Sequence, residues 1–152
     1  MKARIKWLEG RAFVAESGSG HAIVMGGAGG ADGRTLGASP MELVLMGVGG
    51  CTAFDIIHIL EKSREPVVDC VAELEAVRAD DDPKVFTHVH MRFVVTGPGL
   101  NRDKVERAVK LSAEKYCSAS AMIAKTAEIS YDVEVVDGAH AAGAPRMPLP
   151  AF

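Results

Sequence analysis

The chain has 152 residues, 48% apolar and 24% charged, a balance that suits one folded domain and excludes a disordered tail or a short disulfide-stapled module. Seventeen basic against twenty acidic residues leave a net charge of −3. That lacks the positive excess rewarded by phosphate backbones or anionic lipid surfaces, so neither nucleic acid nor a membrane is an expected partner.

Ala3, Ile5 and Trp7 alternate with polar residues, and Ala12–Ala15 and His21–Met25 follow across the turn signals Glu9-Gly10 and Ser17–Gly20, which predicts a small strand meander. Gly26 to Gly33 has too little side chain to pack and reads as a loop. It lacks the strand, helix and spacing that would make its glycines a phosphate cradle.

Ser39-Pro40-Met41-Glu42 combines a capping box with proline at the first helical position, so a helix starts there. It is expected to run to about Arg64, because Pro66 blocks continuation. Between Leu43 and Leu60 its one formal charge is Asp55. Asp55, His58, Thr52 and three glycines weaken an already marginal membrane span, and a buried central helix is expected instead. A helix apolar nearly all round needs cover on several sides, which a homodimer would supply.

Val67 to about Ala79 and Val85 to Thr96 form a long hairpin around Asp80–Lys84. Asn101 caps a second helix, with Asp103–Arg107 and Glu106–Lys110 at the favourable four-residue spacing. Cys117-Ser118-Ala119-Ser120 interrupts the helical pattern, a short apolar helix turn follows from Ala121 to Lys125, and Glu128 to Val136 reads as a closing strand. One domain is expected over 1–137, followed by an Ala/Gly/Pro-rich tail over 138–152.

Three cysteines are an odd number, and the first residues carry positive charge without an apolar run of signal-peptide length. A cytoplasmic protein with reduced thiols is therefore expected. Cys51 lies in the middle of the long helix and Cys117 at the break after the second one. Both suit either redox chemistry or simple burial as small hydrophobes. Cys70, on the apolar side of a strand, reads as structural.

To react, Cys51 needs a cation or donor from elsewhere, because it lies eleven residues past Pro40, beyond the reach of the helix dipole. Cys117 differs, since Ser118–Ser120 can open the short helix and bring backbone N–H groups to its sulfur. Glu42 falls on roughly the opposite side of the helix from Cys51 and suits the capping box. Cys51, Asp55 and His58 have a spacing that could hold a metal, but four ligands are not evident and none is expected. His88 and His90 share one face of the hairpin strand and read as an exposed or satisfied pair.

The block from Ser39-Pro40-Met41-Glu42-Leu43 through Gly49-Gly50-Cys51-Thr52, followed 66 residues after Cys51 by Cys117-Ser118, resembles the OsmC/Ohr family of osmotically inducible and organic-hydroperoxide-resistance proteins, and within it the YhfA-like branch. Glu16–His21 adds to the resemblance, which covers Lys2 to Val136.

The resemblance implies an α+β fold of antiparallel sheets, with two long central helices packed in an intertwined homodimer and active sites at the subunit interface. It also implies a thiol-dependent peroxidase acting on organic hydroperoxides or hydrogen peroxide. Cys51 would reduce the hydroperoxide and become a sulfenic acid, Cys117 would condense with it to a disulfide, and a lipoyl-type or thioredoxin-like dithiol would restore both, with no cofactor.

The peroxidase branches carry a glutamate directly after the motif proline, where this chain has Met41 and then Glu42. Their supporting arginine falls in segments that here contain Arg11 and Arg34. The candidate catalytic set is Cys51, Cys117, Glu42 and Arg34, with Arg11 as the other choice of cation. The alternative function is a non-enzymatic ligand-binding or redox-sensing dimer of the same fold.

Overall fold

The computed structural model describes residues 1–27 and 35–139. Arg34, the loop expected beyond Gly27, and the tail from residue 140 onward lie outside the described residues. The chain forms two compact units, one from Met1 to Leu45 and the other from Met46 onward.

The first unit is the expected meander. Strands β1 (Ala3–Glu9), β2 (Ala12–Ser17) and β3 (Ala22–Gly26) pair antiparallel in sequence order. Gly10 takes a left-handed φ of 51° in the first turn, where Trp7 Nε1 donates to its carbonyl at 3.0 Å. Gly37 passes so close to β3 that a Cβ there would lie 2.3 Å from the Val24 carbonyl oxygen.

Helix α1 (Pro40–Lys62) starts at the capping box. Ser39 N donates to Glu42 Oε2 at 2.6 Å and Glu42 N to Ser39 Oγ at 3.3 Å. At the other end Arg64 adopts a φ of 57°, and the Glu65 amide closes onto the Leu60 carbonyl, satisfying an orphan carbonyl of the last turn.

By length and composition α1 could cross a membrane, with 28% of its most apolar window buried. The buried residues Val48, Thr52, Ile56 and Leu60 recur every four positions and, with Gly49 beside Val48, make one stripe. Gly49 permits close packing there, since a Cβ would lie 2.5 Å from Leu74 Cδ1. Elsewhere Val44, Met46 and Phe54 stand exposed, Phe54 by 76%. Within one chain α1 is thus covered along one stripe, and the rest of its apolar surface is what a second copy was expected to cover.

That sheet has the order β4–β5–β6, from β4 (Asp69–Arg78), β5 (Phe86–Thr96) and β6 (Glu128–Val136). β4 runs antiparallel to β5, while β6 joins parallel to it. Parallel pairing requires a long crossover, supplied by α2 (Arg102–Leu111), a π-helical turn (Ser112–Tyr116) and α3 (Ser118–Ile123).

Val89, Met91, Phe93 and Val95 of β5 alternate inward and are fully buried, as are Val105, Ala108 and Val109 of α2. On α2, Glu106 turns back to Arg102 at 2.7 Å rather than forward to Lys110. Asn101 caps the helix, its side-chain oxygen accepting from Lys104 N at 3.1 Å. Asn101→Ala should cost about 1 kcal/mol, read as a lower urea midpoint with an unchanged slope.

Candidate active site around Cys51 and Cys117

Cys51 comes from the middle of α1, and Cys117 from the junction between the π-helical turn and α3. Although 66 positions separate them in sequence, their sulfurs and a carboxylate oxygen of Asp55 all lie within 4.8 Å of one another. Both cysteines are free thiols, Cys51 half-buried and Cys117 buried.

The π-helical turn sets the position of Cys117. Its closure, from the Cys117 amide to the Ser112 carbonyl at 2.9 Å, is the five-residue spacing that defines such a turn. Cys117 is then the N-cap of α3 and accepts from Ser120 N at 3.4 Å. Thr52, one residue after Cys51 and fully buried, aims its hydroxyl at Cys117 Sγ at 3.3 Å, with Val48 O at 2.9 Å and Ser120 Oγ at 3.2 Å. Ser112 Oγ ties the two segments together, donating to Thr52 O at 3.0 Å and reaching Asp55 Oδ2 at 3.4 Å.

These surroundings move the two thiols in opposite directions. Burial pushes Cys117 up, but the Ser120 hydroxyl, Thr52, the Ser120 amide and Cys51 outweigh it, and its pKa ends below the ordinary thiol value. For Cys51 the Ala119 amide favours the thiolate, yet burial, Cys117 and the Asp55 charge together outweigh that amide, and its pKa ends raised. The charge bearing on Cys51 is therefore negative, where the sequence led us to look for a cation.

Glu42 sits in the capping box, and its hydrogen bonds from Ser39 hold its carboxyl below the usual range. Nine helical residues separate it from Cys51, roughly 13 Å of rise. Arg11 belongs to the turn between β1 and β2 of the first unit, and Arg34 lies outside the described residues.

Of the three helix residues with metal-ligand spacing, Cys51 and Asp55 do come together, but with Cys117 rather than His58. His58 lines a separate groove of about 390 Å³ with Gly50, Phe54, Ile57 and Cys70. His88 and His90 form an outward ladder with Glu128 at 3.7 Å and Asp132 at 3.3 Å, and His90 also meets Ser130 at 2.9 Å.

Sequence reading brought the Ser118–Ser120 amides to Cys117, as Ser120 N shows, but overlooked the hydroxyls of Thr52, Ser112 and Ser120 and the meeting of Asp55 with Cys117. The available signal was hydroxyl residues on otherwise apolar faces, each flanking or facing a cysteine. Cys70 is pushed up to about 11, mainly by burial and also by Asp69. At pH 8 roughly one Cys70 thiol in a thousand is ionised, so iodoacetamide should modify it far more slowly than Cys117, as peptide mapping can read.

The α+β fold and the paired cysteines define a class of protein, and comparison with known proteins identifies it: the chain belongs to the OsmC-like protein family, whose family model matches residues 30–132. It is 48% identical over 136 residues to Protein YhfA of Escherichia coli strain K12, covering 90% of this chain and 98% of that one. The OsmC-like protein from Mycoplasma pneumoniae shares the fold at a TM-score of 0.75 and 12% identity, covering 89% of this chain and 96% of that one. The organic hydroperoxide resistance protein OhrB of Bacillus subtilis does so at 0.59 and 22%, covering 88% and 98%.

Proposed function

We propose that this protein is a cytoplasmic, homodimeric thiol peroxidase that reduces organic hydroperoxides or hydrogen peroxide and is recycled by a dithiol. The observation that carries this reading is the meeting within 4.8 Å of Cys51 and Cys117, from separate segments of the second unit. Membership of the OsmC-like family and the likeness to a protein named for organic hydroperoxide resistance support the same substrate class.

Cys51 is the better exposed of the pair and meets the peroxide. Its sulfur attacks the distal oxygen, the O–O bond breaks, an alcohol or water leaves, and Cys51 becomes a sulfenic acid. Cys117, kept acidic by Thr52 and Ser120, attacks that sulfur as thiolate. Water leaves and the disulfide forms. A dithiol then reduces it in two exchange steps. The protons of the two thiols leave in steps that belong to the pair, so the Cys117 thiolate can take the Cys51 proton before attack.

The exposed Val44, Met46 and Phe54 of α1 give a second copy an apolar surface to cover. Glu42 and either Arg34 or Arg11 stay the candidates for the supporting roles that the family resemblance gives them.

The donors around Cys117 favour one second reading, in which Cys117 attacks first and Cys51 resolves. One equivalent of cumene hydroperoxide, given to Cys117→Ser and Cys51→Ser proteins with dimedone present, separates the two. The proposal expects the sulfenic adduct on Cys51 in the first variant and little on Cys117 in the second. The reverse pattern exchanges the roles, and no adduct in either variant removes the peroxidase.

A further inference from the structure

Asp55 has no task in that chemistry. Its carboxylate stands within 4.8 Å of both sulfurs. A thiolate nucleophile gains nothing from an anionic neighbour, whereas a cation between the three groups would turn the same charge into an attraction.

We propose that the reduced protein binds one thiophilic divalent cation of the zinc class through Cys51 Sγ, Cys117 Sγ and an Asp55 carboxylate oxygen, leaving a fourth position to solvent. Two sulfurs and one oxygen form a donor set suited to zinc, and three protein ligands with an open position match its tetrahedral habit. Zinc–sulfur bonds of ~2.3 Å place neighbouring ligand atoms about 3.7 Å apart. The three atoms, already within 4.8 Å of one another, need close by only about 1 Å.

The groups that would orient the ligands are in place. Ser112 Oγ reaches Asp55 Oδ2 at 3.4 Å, and Thr52 Oγ1 and Ser120 N point at Cys117 Sγ at 3.3 and 3.4 Å. Binding exchanges two thiol protons for one cation. Disulfide formation takes two electrons from the same sulfurs and removes two of the three ligands, so oxidation releases the cation. A bound cation, conversely, occupies both thiolates and blocks attack on peroxide.

Zinc binding is independent of peroxide turnover, and the two are measured separately. The reduced full-length protein is titrated with zinc against a chromophoric chelator. We expect one equivalent per chain, at least a hundredfold weaker binding in Cys117→Ser, and roughly tenfold or more weaker in the near-isosteric Asp55→Asn. Protein oxidised to the disulfide with diamide should bind none. Cobalt gives a variant-free readout, a thiolate-to-metal charge-transfer band in the reduced protein that oxidation abolishes. Affinity no greater than that of free dithiothreitol, or an Asp55→Asn protein that binds zinc as tightly as wild type, overturns the site. Turnover lost with zinc binding intact overturns the peroxidase alone.

Discussion

Cys51→Ser should lower hydroperoxide consumption, with excess dithiol present, by more than about a hundredfold, to the background rate of the reductant itself. The serine keeps nearly the same volume at a half-buried position of α1, so a fold defect is not the expected cause, and far-ultraviolet circular dichroism checks this. Cys117→Ser should instead permit a single turnover and then stall at the sulfenic acid. A Cys51→Ser protein that consumes peroxide at the wild-type rate would remove Cys51 as the thiol that meets the peroxide. Neither cysteine reacting with an alkylating reagent before unfolding would reduce the pair to buried hydrophobes.

Thr52→Val tests the donor set by removing one hydroxyl and keeping the shape. A hydrogen bond to a charged acceptor contributes about 1.5–3 kcal/mol. The ionisation midpoint of Cys117 should therefore rise. The sign follows from which form the donor favours. Thr52 stabilises the thiolate and, with Ser120, draws Cys117 below its ordinary value; losing that donor moves it up. Near neutral pH the thiolate fraction falls, so disulfide formation slows, and the slowing is relieved as pH increases. The pH profile of iodoacetamide modification reads the midpoint directly. An unchanged midpoint would show that the Thr52 hydroxyl is committed to the Val48 carbonyl, 2.9 Å away.

The elements were largely legible because each is signalled locally. Ser39, Pro40 and Glu42 announce α1, Asn101 announces α2, and alternation marks β6 from Glu128 to Val136. Cys117 as the cap of α3 could also be read, since small polar residues follow it directly. The network joining the two cysteines could not. Thr52 lies 65 positions from Cys117 and 68 from Ser120, and periodicity tells which side of a helix is apolar without telling which element will face it. The same limit hid what the crossover brings to Cys51, the Cys117 thiol and the Ala119 amide, while Asp55 reaches the pair from the next turn of the same helix. The parallel entry of β6 was likewise hidden, because strand direction depends on where the crossover emerges.

The five-residue closure between Ser112 and Cys117 carries one consequence for how such a pair can be gained or lost. A turn of this kind holds one residue more than an ordinary helical turn. Wound as a regular helix, the same residues would put Tyr116 over Ser112 and turn Cys117 about 100° further round the axis. Deleting one residue between Ala113 and Tyr116 would instead leave the cysteine over Ser112 with an ordinary four-residue closure. The partnership of the two sulfurs thus depends on the number of residues before the cysteine matching the winding of the turn, as much as on the chemistry of any side chain.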